Sequence, residues 1–487
     1  MTFKLEHRLL ALTIVVMTSL AGCTVGPDFK RPSSPDVTSF TRDKELNKTF
    51  DGVGKSQTQA IMTVNQVEAD WWKSFSSQKL NSLIEIALKN NPSIKAAEAS
   101  IKQANDYLAA QKGYFYPTAQ AGYSASRQGD SSVISPTLQS NNNPYTLHTA
   151  QLSISYAPDV FGLNKRTVES LEAQAETQKF QLIALRTTLI ANVISAVIQQ
   201  ASIQSQIEAT EQIILSQTNA LNIIKKQSEL GYASDIDVSG QEANLAQAKQ
   251  LLPPLNKQLE ITKDLIAILC GKLPSQGGFD SFTLEEINLP VNLPLTLPSS
   301  LVEQRPDVRA AEAQVHAASA LIGVALANRL PQFSISALYG GSATKFGQMF
   351  SSNNSFWGLT GNVGQTLFDA GTLKYKQKAA EAGFEQAESQ YRSVVLGAYQ
   401  NVADTLYALD SDAKSLLAAT DSETSAKKSL ELVQKQLNLG YVNSLALINS
   451  EQSYQQAKIS KIQAQAMRLT DTLALFQSLG GDWDDTH

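Results

Sequence analysis

Between Leu163 and Leu230 the sequence holds neither proline nor glycine, and the whole stretch reads as one helix. At about 1.5 Å per residue such a helix would reach roughly 100 Å. Helices in globular domains average about 11–12 residues, so this one does not wrap an ordinary core. Its apolar residues show what it packs against. Leu182, Leu189, Val193, Ala196, Ile203, Ile207, Ile214, Leu221 and Ile224 recur at spacings of three, four and seven, a coiled-coil seam. Ile183, Ile190, Ile194, Val197 and Ala201 form a second stripe beside it, and Gln178, Gln199, Gln206 and Gln217 fall elsewhere. Two seams and a polar remainder predict a neighbour on each side and water on another face. Repeated around a ring, that gives a hollow helical barrel, although a solid bundle needs the same stripes.

The unit that holds this stretch occurs twice. Asn91-Pro92-Ser93-Ile94-Lys95-Ala96-Ala97-Glu98-Ala99 aligns with Arg305-Pro306-Asp307-Val308-Arg309-Ala310-Ala311-Glu312-Ala313, and the register holds to Pro117 and Pro331. In a second block Gly162 matches Gly371, Leu230-Gly231-Tyr232 matches Leu439-Gly440-Tyr441, and Gly271 matches Gly480. The chain is therefore two copies of one unit, 76–288 and 305–487, with a tether at 23–75 and a proline-rich connector at 289–304. Each copy reads in the same order. A short helix from Pro92 to Gly113 precedes a strand-like stretch bounded by Pro117 and Pro158. The long helix, a Gly-Tyr turn and a returning helix ending at Gly271 follow. Pro92 suits a first helical turn, and Gly231 and Gly271 suit helix ends. Pro253-Pro254 predicts a kink in the first returning helix alone, because the second copy has Ile462-Gln463 there.

The strand-like stretches alternate as membrane barrels do. Ala119, Ala121, Tyr123 and Ala125 alternate with Gln120, Gly122, Ser124 and Ser126; Ala150, Leu152, Ile154 and Tyr156 alternate with polar partners. Phe333, Ile335, Ala337 and Tyr339 share one face in the second copy, as do Trp357, Leu359, Val363 and Leu367. About nine to eleven residues suffice to cross a bilayer as a strand. Two such strands per copy are too few, because membrane barrels close with about eight or more and lipid does not tolerate an open sheet edge. The barrel must be shared among copies of the chain, and two, three or four copies all give plausible barrels.

Composition excludes several functions. Charged residues are 17% of the chain against 43% hydrophobic, so Gln, Asn, Ser and Thr fill the polar positions. A net charge of −5 without Lys/Arg runs excludes nucleic acid as partner. His148 and His316 stand apart from any nucleophile or metal-ligand spacing, and His7 and His487 lie at the chain ends, so no enzyme emerges. Cys270, before a helix-ending glycine, reads as packed rather than reactive.

The N-terminus reads as an export signal over residues 1–22. Lys4 and Arg8 precede a short apolar run from Leu9 to Met17, below the roughly 18–20 residues needed to span a bilayer. Leu20-Ala21-Gly22-Cys23 resembles a lipoprotein box, which implies an N-acyl and S-diacylglycerol lipid on Cys23; Thr24 rather than Asp after it implies sorting to the outer membrane. Cys23-Thr24-Val25-Gly26-Pro27-Asp28-Phe29, Trp71-Trp72 with Phe75, Asp159-Val160-Phe161-Gly162, Arg305-Pro306-Asp307-Val308-Arg309-Ala310-Ala311-Glu312 and Phe368-Asp369-Ala370-Gly371 follow in order. With these marks the chain resembles the TolC-like outer-membrane efflux proteins, in the lipoprotein branch of OprM/NodT type.

The resemblance implies a mainly α fold with a membrane β-barrel part: a homotrimer sharing a twelve-stranded barrel above a tunnel of twelve long helices. It implies a periplasmic adaptor and, through it, an inner-membrane pump of the resistance-nodulation-division type. No cofactor is implied besides the lipid. The function implied is passive conduction of drugs or other small molecules from that pump to the exterior. The Gly-Tyr turns would be the tips that meet the adaptor: Leu230, Gly231, Tyr232, Ala233, Ser234 and Leu439, Gly440, Tyr441, Val442, Asn443. Asp235 and Asp237 are gate candidates, since symmetry would turn each into a carboxylate ring. Helix capping is the alternative, favoured at Asp235 and open at Asp237. The second copy carries Asn443, Ser444, Ala446 and Asn449, which argues against an acidic gate there. Rival functions are a duct for secreted proteins and, from another class, a coiled-coil lipoprotein spacer without a pore. Only five Met and four His argue against a metal-export duct.

Overall fold

A computed structural model describes residues 24–42, 49–50, 58–64, 67–68, 70–129 and 144–480. The elements in chain order are β1 (Thr49–Phe50), β2 (Gln59–Thr63), α1 (Gln78–Asn90), α2 (Pro92–Lys112), β3 (Thr118–Gln128), β4 (Tyr145–Tyr156), α3 (Leu163–Glu229) and α4 (Asp235–Leu269). The second copy follows as β5 (Asn292–Leu295), α5 (Pro298–Gln304), α6 (Pro306–Ala327), β6 (Gln332–Ala343), β7 (Ser355–Gly364), α7 (Thr372–Asn438) and α8 (Ser444–Ser478). The long helices α3 and α7 have 67 residues each, and the returning helices α4 and α8 have 35 each. This equality is the duplication expressed as geometry. The chain divides into two compact units.

The first unit comprises residues up to Pro32, Ile101–Gln178 and Ala311–Tyr391. Its centre is a four-stranded antiparallel sheet in the order β3-β4-β6-β7. The register brings the alternating apolar residues into rows: Ala119–Ile154–Ala337–Leu359 and Ala121–Leu152–Tyr339–Trp357. The opposite face carries rows such as Thr118–Ser155–Ser336–Thr360. Leu367 belongs to neither, because β7 ends at Gly364. The helices that leave the sheet are capped by carboxylates. The Asn164 and Lys165 N–H groups donate to Asp159 at 2.9 and 2.7 Å, and those of Gly371 and Leu373 donate to Asp369 at 2.8 and 2.7 Å. The Leu373 N–H, foremost, holds the Asp369 carboxyl below the usual carboxylate range.

In the same unit Thr24–Arg31 is fastened along the helices. Arg166 donates to the carbonyls of Val25 and Gly26 at 3.0 and 3.2 Å, to Asp28 at 2.8 Å and to Glu169 at 2.7 Å. Phe29 stacks on His316 at 4.3 Å, and His316 Nε2 lies 3.1 Å from Glu169. His316, which stands apart from any nucleophile or metal-ligand spacing in the sequence, is thus part of this strap, with its Nε2 engaged by Glu169.

The second unit comprises Ser33–Ser100, Lys179–Ala310 and Arg392–His487. Both apolar stripes of α3 are buried here apart from Ile183 and Ile214, which are half-buried. Ile203 and Ile207 join Leu259 of α4, while Ala220 and Ile224 join Ile448 of α8. Gln217 departs from its expected polar face. It is buried and accepts from Gln241 Nε2 at 2.5 Å, because two facing amides satisfy each other inside a helix seam. Pro253 and Pro254 lie within α4 without ending it.

The proline-rich connector carries structure of its own. β5 pairs in parallel with β2, β2 pairs with β1, and α5 fills the remainder. Gln59 of β2, buried, donates to Pro290 O at 3.0 Å and Thr472 Oγ1 at 3.2 Å and accepts from Arg468 Nε at 3.2 Å. Trp71 stacks on Phe476 at 5.4 Å, which seats the tether on the last turns of α8. Beside buried Arg468, Asp412 of α7 faces Asp471 of α8. Burial, with Asp471 adding to it, pushes the Asp412 carboxyl up to about 7. A carboxyl raised above its unfolded value favours the fold while protonated, and that contribution is lost as pH rises through about 7. Asp412→Asn should therefore raise the thermal midpoint by a few degrees at about pH 8, with the gain shrinking as pH falls below about 7 and vanishing only near about pH 4, where the unfolded carboxyl is also protonated. Circular dichroism melts across that range check it, and a pH-independent effect would contradict it.

Candidate docking tips and membrane-facing sheet

Each long helix ends in the same backbone motif. In the first copy Tyr232 N–H donates to Gln227 O at 2.7 Å and Gly231 N–H to Ser228 O at 2.9 Å. In the second Tyr441 N–H donates to Gln436 O at 2.9 Å and Gly440 N–H to Leu437 O at 3.0 Å. These are Schellman caps, in which the residue after the cap must take positive φ. Gly231 and Gly440 do so, at 79° and 78°. The chain then enters a returning helix whose first residue is preceded by an N-cap. Ser234 caps α4 and Asn443 caps α8, accepting from the N–H groups of Asp237 and Ala446 at 3.2 and 3.1 Å.

The two acidic residues divide differently from expectation. Asp237, not Asp235, completes the capping box, accepting from Ser234 N–H at 2.9 Å and from its hydroxyl at 2.8 Å. The third helical position reaches back to the N-cap backbone and the first does not, which is why the role falls to Asp237. The Ser234 N–H, then its hydroxyl, hold the Asp237 carboxyl below the usual carboxylate range. Ala446 at the equivalent place has no carboxylate to offer, so the second tip keeps half the box.

Around these turns large apolar side chains stand in water. Tyr232 is 83% exposed and Tyr441 78%, with Leu230 and Leu439 close behind. Ile236 and Leu445 extend each set, and sequence reasoning missed them; the signal was an apolar residue in the first turn of a capped helix. Ala233 turns the other way, packing against Ala220, Ile224 and Ile448. Val442 is half-buried. Cys23 lies outside the described residues. Cys270 is buried, and burial pushes its thiol up to about 11, which makes it inert. Among the described residues no group of three His, Cys, Asp or Glu is placed to hold a metal.

The sheet of the first unit is a separate candidate surface. Its apolar rows are exposed, with Trp357 at 79% and Leu359 at 70%, while its ends β3 and β7 are edges. A profile of the family described as outer membrane efflux protein matches residues 83–271 and 297–481. The chain belongs to that family. It is an outer-membrane efflux channel protein, and its duplicated halves are the two matched segments. The pyoverdine export outer membrane protein OpmQ of Pseudomonas putida is 26% identical over 419 residues, 85% of this chain and 88% of that one. The toluene efflux pump outer membrane protein TtgF of the same species is 27% identical over 480 residues, 97% of each chain. The fold matches the CmeC outer membrane channel of Campylobacter jejuni with a TM-score of 0.85 at 18% identity, over 96% of each chain. These relatives carry names of export and efflux components rather than of enzymes.

An added Cβ at Gly231 or Gly440 meets no atom within 4 Å, so the tip glycines serve backbone conformation alone. At Gly271, which ends α4, it would meet Asn90 O at 2.5 Å. Gly231→Ala and Gly440→Ala should each cost about 1 kcal/mol, alike in both copies, and Gly271→Ala clearly more. Denaturation midpoints of the three variants measure this, and equal loss at all three would contradict it.

Proposed function

We propose that the chain is the exit duct of a tripartite efflux system. In this reading it passively conducts drugs or other small molecules delivered by a periplasmic adaptor and an inner-membrane pump of the resistance-nodulation-division type. The observation that carries the reading is the open sheet. Four strands with an exposed apolar face, a polar opposite face and two unpaired edges cannot rest in lipid alone. Three copies of that sheet give twelve strands, within the range at which membrane barrels close around a wet interior. The helices support the same assembly. On α4 the side chains of Ile261, Leu265 and Ile268 are exposed at helical spacing, an apolar stripe that a neighbouring copy would cover.

The tips are the adaptor contacts in this reading. Leu230, Tyr232 and Ile236, with Leu439, Tyr441 and Leu445, offer apolar knobs on backbone held rigid by caps, so docking orders little that is not already ordered. Asp235 and Asp237 would stand in a ring at the tunnel's end. Asp237 stays ionised there because its cap favours the carboxylate. Lipid on Cys23 supplies a second attachment besides the barrel, next to a strap held by Arg166.

Two outcomes follow. Tyr232→Glu combined with Tyr441→Glu should reduce export of a fluorescent substrate to the level of cells lacking the pump, with trimer abundance in the outer membrane unchanged. Unchanged export would remove the docking role of the tips. Native mass spectrometry of the detergent-extracted protein should give three chains, each carrying the acyl mass on Cys23; a bare Cys23 in the mature protein would remove the anchor.

A further inference from the structure

The rim of the sheet farthest along the strands from the helices differs in charge from the rest of the chain. β3, β4, β6, β7 and residues 344–354 contain no Asp or Glu, although the whole chain carries a net charge of −5. They do contain Arg127 and Lys345. Asp130, the nearest carboxylate in sequence, lies outside the described residues. Arg127 continues the alternation of Ala121, Tyr123 and Ala125, so it stands on the apolar face, opposite Thr146. The next row inward is Ala125–His148–Ala343, and Lys345 follows two residues after Ala343. With strands about 4.8 Å apart, the two cations flank His148 at roughly 10 Å from one another.

The β6–β7 connection is folded back onto this face. The Phe346 ring meets Tyr123 edge-on at 5.8 Å and His148 at 6.1 Å, and Tyr123 Oη lies 2.9 Å from His148 Nδ1. Met349 is buried, and its carbonyl oxygen lies 2.0 Å from where a Cβ on Gly341 would be, so only glycine there lets the loop lie down. Phe346 and Phe350 remain exposed on the outside of the loop. The strand from Thr118 to Arg127 rises about 30 Å, which at the usual barrel tilt matches an apolar band of about 25 Å. The row of Arg127 and Lys345 thus falls at headgroup level on the outer side, and among the described residues neither cation has an ion-pair partner.

We propose that Arg127 and Lys345, framed by Phe346 and Phe350, seat the phosphorylated glycolipid of the outer leaflet. The guanidinium and ammonium groups take its phosphates, and the rings lie against its sugars and the first carbons of its acyl chains. The loop holds Lys345 in place for this, instead of extending into solution. The site rests on the reading of the sheet as part of an inserted barrel.

The test uses the full-length trimer in detergent, with bis-phosphorylated lipid A as probe and native mass spectrometry as readout. Wild type should take up lipid A, and Arg127→Glu with Lys345→Glu should bind at least tenfold less. Arg127→Gln with Lys345→Gln, gentler on folding, should show an intermediate loss, and Lys249→Glu on α4 none. Phosphatidylcholine should not substitute, and millimolar inorganic phosphate should not displace the bound lipid. Equal lipid A on wild type and both double variants overturns the proposal, as does equal binding of phosphatidylcholine or displacement by phosphate. A wild-type trimer that conducts in planar bilayers yet takes no lipid A overturns the site and leaves the duct standing. A protein that forms no conducting trimer overturns both.

Discussion

A bilayer interior offers no water to a backbone N–H or carbonyl, so every such group within it must find its partner in protein. The four-stranded sheet meets this demand along β4 and β6 and fails it at the outer edges of β3 and β7. Much of the molecule follows from that shortfall. The apolar rows that cross the sheet, from Ala121 to Trp357, suit hydrocarbon only when the edges are closed, and closing them takes further copies of the chain. The polar rows on the other face then line whatever the closed strands enclose.

Helix ends repeat the same accounting in water. Each 67-residue helix begins on a carboxylate and finishes on a Schellman glycine. The returning helices finish against the start of their own repeat. Asn91 donates to Leu269 O at 2.9 Å, and its counterpart Arg305 donates to Ser478 O at 2.7 Å. The two contacts use different side chains for one purpose, covering a last-turn carbonyl. Duplication therefore preserved where an orphan acceptor arises, while the donor that satisfies it was free to change.

Sequence and structure agree most closely where periodicity is strong. The stripe residues Val193, Ile194 and Val197 are buried, and the apolar positions of β3, β4 and β6 share rows. Agreement weakens where a polar residue has a choice of partner. Gln217 joins a seam because Gln241 faces it, and Asp237 rather than Asp235 closes the capping box because of its place in the first turn. His316 carried no legible signal, since Phe29 and Glu169, which engage it, are distant in sequence. The connector shows in the sequence only as a proline-rich segment, and β5 adds to β2 through pairing that no local pattern announces.

By itself the sequence determined the duplication, the lengths of the helices, the four strands and the reversal at each Gly-Tyr turn. The helices, strands and turns are local, resting on spacing and on residues within a turn or two of one another, and the duplication shows as the same local pattern recurring along the chain. The tertiary structure alone decided the three-stranded sheet around β2, the burial of Arg468 beside Asp412, the strap on Arg166 and the folding of the Phe346 loop onto the strands. Each of these joins groups far apart in the chain. Their stability comes from mutual desolvation and hydrogen bonding, which exist only once the helices and strands have brought those groups within reach.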